Sequence, residues 1–296
     1  MIYTVTLNPS VDYSMTLPEL SVGEVNRSNS ESHTYGGKGI NVSAMLGNLG
    51  VENTALGFIG GFAGREIERL SIRAGIRCDF CEIHDNSRIN VKILADRETA
   101  VNGNGPFIRL EEEKLLLEKL SALSDNDTVV VSGSSPESES RELLRNVLSA
   151  AAHTRLIADM EGELLSVALE KRPFLIKPNE EELCAFFGKD SMEENEIVAS
   201  ARMLMSQGAQ NVIVSRGGLG ALLVADDGNV YKIRAPRINV KSTVGAGDSF
   251  LAGFIAGYEN GVQFALALGA AAGSATAACT GIADGAEVMN VFAAMQ

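Results

Sequence analysis

Three small residues and then one acid stand directly before an apolar segment near the end of the chain. The stretch is STVGAGDSF, residues 242–250, and the apolar residues from its end onward recur at helical spacing. Gly245 and Gly247 would let successive backbone N–H groups converge on an anion at the start of that helix. Asp248 follows in the first turn. It is either a helix-capping residue or a base that accepts the proton of an attacking hydroxyl during phosphoryl transfer.

A second polar stretch, KPNEEEL at residues 177–183, follows the strand-like segment PFLI. Asn179 and Glu182 have the spacing of a capping box at the start of a helix. In open α/β folds, however, ligands bind at the carboxyl edge of the sheet. At that edge Glu182 would hold water around Mg²⁺, an ion that keeps much of its hydration shell. Both interpretations stand at this point.

Two glycine-rich stretches adjoin predicted strands or helices. SRGGLG, residues 215–220, follows the strand-like NVIV and is either a hairpin turn or a contact to nucleotide phosphates. YGGKGINVS, residues 35–43, leads into a helical segment and supplies a cation, Lys38. Glycines at such positions permit a ligand to approach the backbone closely.

Scattered polar residues add the groups that a phosphorylated sugar needs. Asp12 and Asn90 suit sugar hydroxyls, whereas Lys38 and Arg88 suit a phosphate. Taken singly, each is weak evidence, and a single Arg such as Arg88 or Arg27 is also explained as a solvated charge. Their presence becomes informative only if the fold brings them together.

Several other functions lack their motifs. A dinucleotide fingerprint would need Gly where Phe250 stands, and a P-loop would need Ser or Thr where Gly39 follows the lysine. Cys78 and Cys81 form a lone C-x-x-C without a second ligand pair, which favours reduced thiols over a zinc site. The net charge of −13 over 296 residues argues against binding to nucleic acid or an anionic membrane.

The elements that must position these residues alternate between short apolar strands and amphipathic helices. This rhythm predicts an α/β fold, a mostly parallel central sheet with helices on both faces. Two β-prone inserts, about residues 12–35 and 87–103, predict a small β-sheet acting as a lid on a single domain, 1–296. The uncharged residues 261–283 are rich in Ala and Gly, so we expect a closely packed buried helix pair there. Without a signal-peptide pattern, we expect the cytoplasm.

Two motifs together resemble the PfkB (ribokinase-like) family of sugar kinases: GGKGINVS near the start and STVGAGDSF near the end. LNPSVDY, RINVKI, IKPNEEEL and AAGSATA extend the resemblance over essentially the whole chain. It implies a ribokinase-like fold and ATP-dependent phosphorylation of a sugar phosphate with Mg²⁺. A monovalent cation (K⁺) beside the anion hole and a homodimer formed through the lid are further implications.

Within that resemblance the substrate remains a choice. RINVKI favours fructose 1-phosphate, phosphorylated at its 6-hydroxyl, and tagatose 6-phosphate is the alternative. A non-catalytic sugar-phosphate sensor on the same scaffold and a Rossmann-like oxidoreductase are more distant alternatives.

The resemblance also implies a role for each matching residue. Asp248 would be the catalytic base, and Gly245, Ala246 and Gly247 its anion hole. The nucleotide site would comprise Lys177, Asn179, Ser215, Gly217, Gly218, Gly220, Thr243 and Ser274. Asn179 and Glu182 would bind magnesium through water. The phosphosugar site would comprise Asp12, Gly37, Lys38, Asn41, Arg88 and Asn90, with Arg27 of the lid reaching a partner's site. Arg216 departs from the family's usual uncharged residue, and would lie over the nucleotide phosphates or face solvent.

Overall fold

The computed structural model describes residues 1–136 and 140–295, and within them the chain forms a large sheet of nine strands. In sheet order these are β13 (Val230–Ile233), β12 (Ala221–Val224), β11 (Asn211–Ser215), β10 (Leu175–Ile176), β9 (Arg155–Asp159), β8 (Thr128–Ser132), β1 (Ile2–Thr6), β4 (Asn53–Gly60) and β5 (Cys81–Ile83). The strands from β11 to β5 pair in parallel, and β12 and β13 continue antiparallel. The predicted, mostly parallel sheet is confirmed.

Helices cover both faces of this sheet. They are α1 (Lys38–Asn48), α2 (Gly61–Arg73), α3 (Leu110–Ser121), α4 (Ser140–Ala150), α5 (Glu163–Leu169), α6 (Glu180–Phe186), α7 (Glu194–Ser206), α8 (Ala246–Gly257), α9 (Val262–Ala278) and α10 (Gly285–Ala294). Alternate residues of β8 show the two layers, since Val129 and Val131 pack towards α3–α7, whereas Val130 packs towards α1 and α8–α10. This period of two, with both faces apolar, explains why the strand is a continuous buried run.

A second sheet joins the two β-prone inserts. Its order is β3 (Ser30–Gly36), β2 (Ser10–Thr16), β6 (Arg88–Leu94) and β7 (Glu98–Asn102). The predicted small sheet is therefore confirmed, with strand limits a few residues from those expected. The register of β2 and β6 places Ser10 opposite Arg88 and Asp12 opposite Asn90, so four polar residues lie together at one end.

The uncharged stretch after Gly261 differs from its prediction. It forms one helix, α9, and its close partner is the preceding α8 rather than a second helix inside the stretch. A Cβ at Gly253 or Gly269 would lie 2.7 or 2.9 Å from a backbone oxygen of the other helix, so the two backbones touch. Among the described residues, none of the helices has both the length and the apolar character needed to cross a membrane.

Other elements gave too weak a pattern to be predicted. They are the short strands β5 and β13 and the helices α5 and α10. The strand predicted in RPFLIKPN is reduced to the two residues of β10, because Pro178 cannot donate a ladder hydrogen bond and Asn179 already caps α6.

Candidate active site

A cleft of about 660 Å³ opens where the carboxyl edge of the large sheet meets the start of α8 and one end of the small sheet. Every site residue predicted from the sequence lines this cleft except Arg27, which is exposed and lies outside it. On the predicted nucleotide side these are Lys177, Asn179, Ser215, Gly217, Gly218, Gly220, Thr243 and Ser274; on the phosphosugar side, Asp12, Gly37, Lys38, Asn41, Arg88 and Asn90; and between them Glu182, Gly245, Ala246, Gly247 and Asp248.

The start of α8 forms a cradle suited to an anion. Gly245 caps the helix with a left-handed backbone (φ 77°), and its carbonyl accepts a hydrogen bond of 2.9 Å from the N–H of Ser249. Gly247 and Asp248 come before Ser249, so their backbone N–H groups have no acceptor four residues back within the helix. The Nζ atom of Lys177 lies only 3.5 Å from where a Cβ on Gly247 would stand. An ammonium and the positive end of a helix therefore converge.

Asp248 is buried beside this cradle, with 7% of its surface exposed. Asn41 on α1 donates a hydrogen bond of 2.8 Å from Nδ2 to its Oδ2. Burial, and then the negative charge of Asp159, raise the pKa of Asp248 to about 6 against the opposing effects of Asn41, Lys177 and Lys38. The capping alternative is wrong, because Gly245 occupies the cap position. A carboxylate that is ionised at neutral pH, yet unusually basic, suits proton transfer.

Asp159 is a cleft residue that the sequence reasoning missed. It ends β9, is 1% exposed, and its Oδ2 lies 3.3 Å from Nζ of Lys177. Neither of its carboxylate oxygens has a well-aligned hydrogen-bond partner among the described residues. Because buried polar atoms normally have hydrogen-bond partners, these two oxygens indicate a ligand site. An acid at the very end of an apolar parallel strand was the signal that could have revealed it.

The two interpretations of KPNEEEL prove compatible. Asn179 and Glu182 exchange both bonds of a capping box, at 2.7 and 2.9 Å. The second carboxylate oxygen of Glu182 remains free to face the cleft, where it lies 3.8 Å from Nζ of Lys38. Burial lowers the pKa of Lys38, but the combined negative charges, led by Asp159 and Glu182, raise it overall. Lys38 is therefore a permanent cation amid carboxylates.

Oxygen atoms in the cleft also fit a divalent cation. Among residues 1–136 and 140–295, no group of three or more His, Cys, Asp or Glu side chains is arranged to hold a metal by itself. Asp159 and Glu182 instead offer one carboxylate each, which is the kind of donor set that a largely hydrated Mg²⁺ accepts.

At the other end of the cleft, polar side chains of the small sheet are held in fixed positions. Asp12 Oδ1 accepts hydrogen bonds from Ser10 Oγ (2.7 Å) and Asn90 Nδ2 (2.9 Å). Arg88 Nε donates to the backbone oxygen of Asn8 at 3.0 Å, and Nη1 reaches that of Gly103 at 3.4 Å. Burial lowers the pKa of Arg88, and the charge of Asp12 opposes this. Two nitrogens of the Arg88 guanidinium are therefore held by the backbone next to the small sheet, and the third is available to an anion.

Both positions that the sequence predicted for the Arg216 side chain are wrong. Its side chain lies neither in the cleft nor in free solvent, since it forms ion pairs with Glu180 at 2.8 Å and Glu194 at 3.0 Å. Further cleft residues that the sequence reasoning did not single out include Thr6, Asn8, Ser10, Gly133, Ser134, Glu161, Pro236, Ile238 and Val240.

Comparison with known proteins supports the phosphate-binding function that the geometry of the cleft indicates. A model of the pfkB family of carbohydrate kinases matches residues 5–289. The chain belongs to the pfkB family. As a member of this family it is an enzyme, an ATP-dependent sugar-phosphate kinase.

Several named proteins resemble this chain along most of their length. A 1-phosphofructokinase of Bacillus subtilis is 42% identical over 256 residues, which are 86% of this chain and 84% of that protein. A D-tagatose-1-phosphate kinase of Bacillus licheniformis is 39% identical, with 86% and 84% covered. The structure of phosphofructokinase-2 from Escherichia coli in complex with fructose-6-phosphate has a TM-score of 0.90 at 28% identity, covering 99% of this chain and 98% of that one. Ribokinase of Arabidopsis thaliana shares the fold, with a TM-score of 0.81 at 20% identity, covering 98% of each chain.

Proposed function

We propose that the chain transfers the γ-phosphoryl group of ATP to the 6-hydroxyl of fructose 1-phosphate, giving fructose 1,6-bisphosphate and ADP. The observation that carries this proposal is the Asp248 carboxylate, buried beside the cationic cradle of α8, with its pKa raised to about 6. The 42% identity to the B. subtilis 1-phosphofructokinase supports this choice of sugar.

In this proposal the small-sheet end of the cleft binds the sugar phosphate. Arg88, with Lys38 nearby, attracts the existing phosphate. Asp12 and Asn90 accept hydrogen bonds from sugar hydroxyl groups, because the Asn90 Nδ2 atom already donates to Ser10 and Asp12. Fixing the 1-phosphate at that end directs the far end of the sugar, with its 6-hydroxyl, towards Asp248. Correct placement of the two reacting groups can supply much of the rate acceleration.

Proton transfer and charge stabilisation fall to the other residues of α8 and its neighbours. Asp248 accepts the proton of the sugar 6-hydroxyl. The oxygen of that hydroxyl bonds to the γ-phosphorus, while the bond from the γ-phosphorus to the bridging oxygen of the β-phosphate breaks and ADP leaves. The N–H groups at the start of α8, with Ala246 and Gly247, and the Lys177 ammonium stabilise the negative charge of the transferring group. Asn41 keeps the Asp248 carboxylate turned towards the cleft.

Magnesium would be held between Asp159 and the N-x-x-E pair, Asn179 and Glu182, largely through water. It would supply charge neutralisation on the ATP phosphates. We also propose a K⁺ ion near the loop before α8, in keeping with the family resemblance. On the nucleotide side, Ser215, Thr243 and Ser274 and the glycines of residues 217–220 would contact ATP.

The small sheet would act as a lid on a single domain, closing over the sugar so that water cannot replace it as acceptor. All five residues of β7 are exposed, as are Ser30–Thr34 of β3, and we propose that this surface pairs with a second copy. Arg27, exposed on the loop before β3, would then reach the partner's cleft. Light scattering tests the dimer, for which we expect a mass near twice the 31.3 kDa of one chain.

The four free cysteines suit a reducing compartment, and we propose the cytoplasm.

Tagatose phosphates are the second candidate substrates. Tagatose 6-phosphate follows from the resemblance of the sequence, and tagatose 1-phosphate from the name of the B. licheniformis relative. A sensor without activity does not fit the kinase family to which the chain belongs, and Asp248, Asn179 and Glu182 all line the cleft.

A coupled assay of ADP release tests the substrate directly. With ATP and Mg²⁺, kcat/KM is measured for fructose 1-phosphate, tagatose 1-phosphate, tagatose 6-phosphate and fructose 6-phosphate, and ADP release without sugar is the blank. We expect fructose 1-phosphate to exceed each of the others by at least about tenfold, a difference of about 1.4 kcal/mol in transition-state binding. A higher value for any other sugar would replace the proposed substrate, and no activity with any of them would reject the proposed function.

A further inference from the structure

The turn of residues 215–220, here called the nucleotide loop, meets the cleft through residues that give it little side-chain anchorage. Ser215, Gly217, Gly218 and Gly220 line the cleft. The loop keeps its shape through its own backbone, since Arg216 N donates to Gly220 O at 2.8 Å and Gly220 N to Gly217 O at 2.9 Å. Those bonds define the turn, and the pairing of β11 with β12 holds its two ends.

Arg216 supplies side-chain contacts from this loop to two neighbouring helices. Its Nε donates to Glu180 Oε2 at 2.8 Å and its Nη1 to Glu194 Oε2 at 3.0 Å, with 16% of the side chain exposed. Glu180 is the first residue of α6 and Glu194 the first of α7. One guanidinium therefore clamps the loop to the starts of two helices through charge-assisted hydrogen bonds, which are stronger than neutral ones.

The α6 end of this clamp belongs to the machinery of the cleft. Glu180 stands between Asn179 and Glu182, whose capping box turns a Glu182 oxygen towards Lys38. The backbone adds a second tie there, because Ser215 N donates to Pro178 O at 3.1 Å. The glycines on one side of the nucleotide and the N-x-x-E pair on the other are thus held at a set separation.

We infer that Arg216 is a positioning residue for the nucleotide, acting through Glu180 and Glu194 without touching the ligand. The inference rests on the proposed function, which assigns the nucleotide to this side of the cleft. Removing the guanidinium leaves Glu180 without this cation and Glu194 with Lys232, and it releases the glycine-rich loop from both helices, so that ATP must order the loop as it binds. Ordering a loop upon binding weakens affinity, whereas a preformed loop does not incur that cost.

The test compares Arg216→Gln with Lys232→Gln. Lys232 also pairs with Glu194, from β13, but lies outside the nucleotide loop, so its loss removes a cation from the same network without releasing the loop. We expect Arg216→Gln to raise the Kd and KM for ATP roughly three- to tenfold, with kcat and the sugar-phosphate KM within about twofold of wild type. Lys232→Gln should leave all four values unchanged.

Two further variants separate positioning from general damage. Arg216→Lys, which can satisfy one carboxylate, should give an intermediate KM for ATP, and it also serves if Arg216→Gln does not fold. Glu180→Gln should raise the KM for ATP, and combining it with Arg216→Gln should add less than the sum of the two effects, because both remove one interaction.

The outcomes distinguish this inference from the proposed function. If the wild-type protein binds ATP and Arg216→Gln binds it equally tightly, the positioning role is wrong and the proposed function stands. An equal rise in the KM values for ATP and sugar phosphate, or the same effect in Lys232→Gln, would also overturn it. If the wild-type protein binds no ATP, the proposed function fails, and the assignment of the loop fails with it.

Discussion

Two buried carboxylates and two lysines set the chemistry of the cleft. Asp248 and Asp159 both lie at the base of the site, and Lys177 and Lys38 lie between and around them. Burial and mutual repulsion raise the pKa of Asp248 more than the two lysines lower it. The Asp248 carboxylate is consequently a stronger base than a free aspartate, while still mostly ionised at pH 7.

This electrostatic balance predicts a pH dependence with a definite direction. The base must be ionised, so kcat/KM should fall as pH drops through about 6, the pKa of Asp248. Asn41→Ala removes a hydrogen bond that favours the charged form, so the acid limb should move to higher pH. Asp159→Asn removes a like charge, so the limb should move to lower pH. Profiles of kcat/KM from pH 5 to 8 measure both shifts.

The position of the acid limb is the relevant quantity, because both variants will also lower the overall rate. Asp125→Asn, at an exposed acid that does not line the cleft, should leave the limb in place. Shifts of Asn41→Ala and Asp159→Asn in the same direction would show that Asp248 is not the group that titrates.

The helix α8 determines where the cradle and the base lie. Glycines let it approach α9 so closely that a Cβ at Gly273 would lie 2.9 Å from the backbone oxygen of Ala246. A glycine within a helix lowers stability, because it loses more conformational entropy on folding than other residues do. The close contact that it permits nevertheless restricts movement at the start of α8. Tight backbone packing therefore preorganises the N–H groups that would face a phosphate.

Gly247→Ala tests the cradle separately from the helix. Gly247 has an ordinary helical backbone, and its nearest neighbour for a new methyl group is Lys177 Nζ at 3.5 Å, so the variant should fold. The methyl group would nevertheless occupy the space for an anion. We expect kcat/KM for ATP to fall by about 10- to 100-fold, the loss of one or two hydrogen bonds to a charged group.

The control for this change is Gly47→Ala on α1, an exposed helical glycine with open space around it. It should raise stability by up to about 1 kcal/mol and leave activity unchanged. If Gly247→Ala behaves in the same way, α8 does not form the phosphate site.

Local patterns in the sequence were sufficient for the elements that begin with glycine or a cap. The start of α8 and the capping box of α6 could both be predicted, because the residues that create them are adjacent along the chain. Asp159 could not be placed. Its importance depends on the neighbouring position of β10 and on α8, whose Asp248 comes 89 residues later (248 − 159). Arg216 was misjudged for the same reason, since its partners lie 36 and 22 residues away.

For the molecule as a whole, the fold class followed from the alternation of strands and helices, but the sheet order did not. β1 lies between β8 and β4, and the hydrogen bond from Asn41 to Asp248 spans 207 residues. The sequence of one segment alone does not predict a contact between residues so far apart along the chain. The whole-chain resemblance to the pfkB family supplied the information that local patterns lacked.

The net negative charge of the molecule contrasts with the cations that line its cleft. The chain carries a net charge of −13, yet Lys38, Lys177 and Arg88 meet in one cleft. Five carboxylates line the same cleft, so an anionic substrate would be bound by these individually placed cations and by the start of α8, and not by a positive field of the whole cleft.

The most direct measurement is the effect of Asp248→Asn on turnover and on ATP binding in the same preparation. We predict that kcat falls by about 10²- to 10⁴-fold, the usual contribution of a general base, while the Kd for ATP stays within about twofold. Unfolding at pH 8 gives the control for folding. The stability contributed by a carboxyl with a raised pKa is lost as pH rises through about 6, so removing its charge should stabilise the protein by up to about 3 kcal/mol. A stable Asp248→Asn variant that turns over sugar phosphate at the wild-type rate would contradict the proposed mechanism.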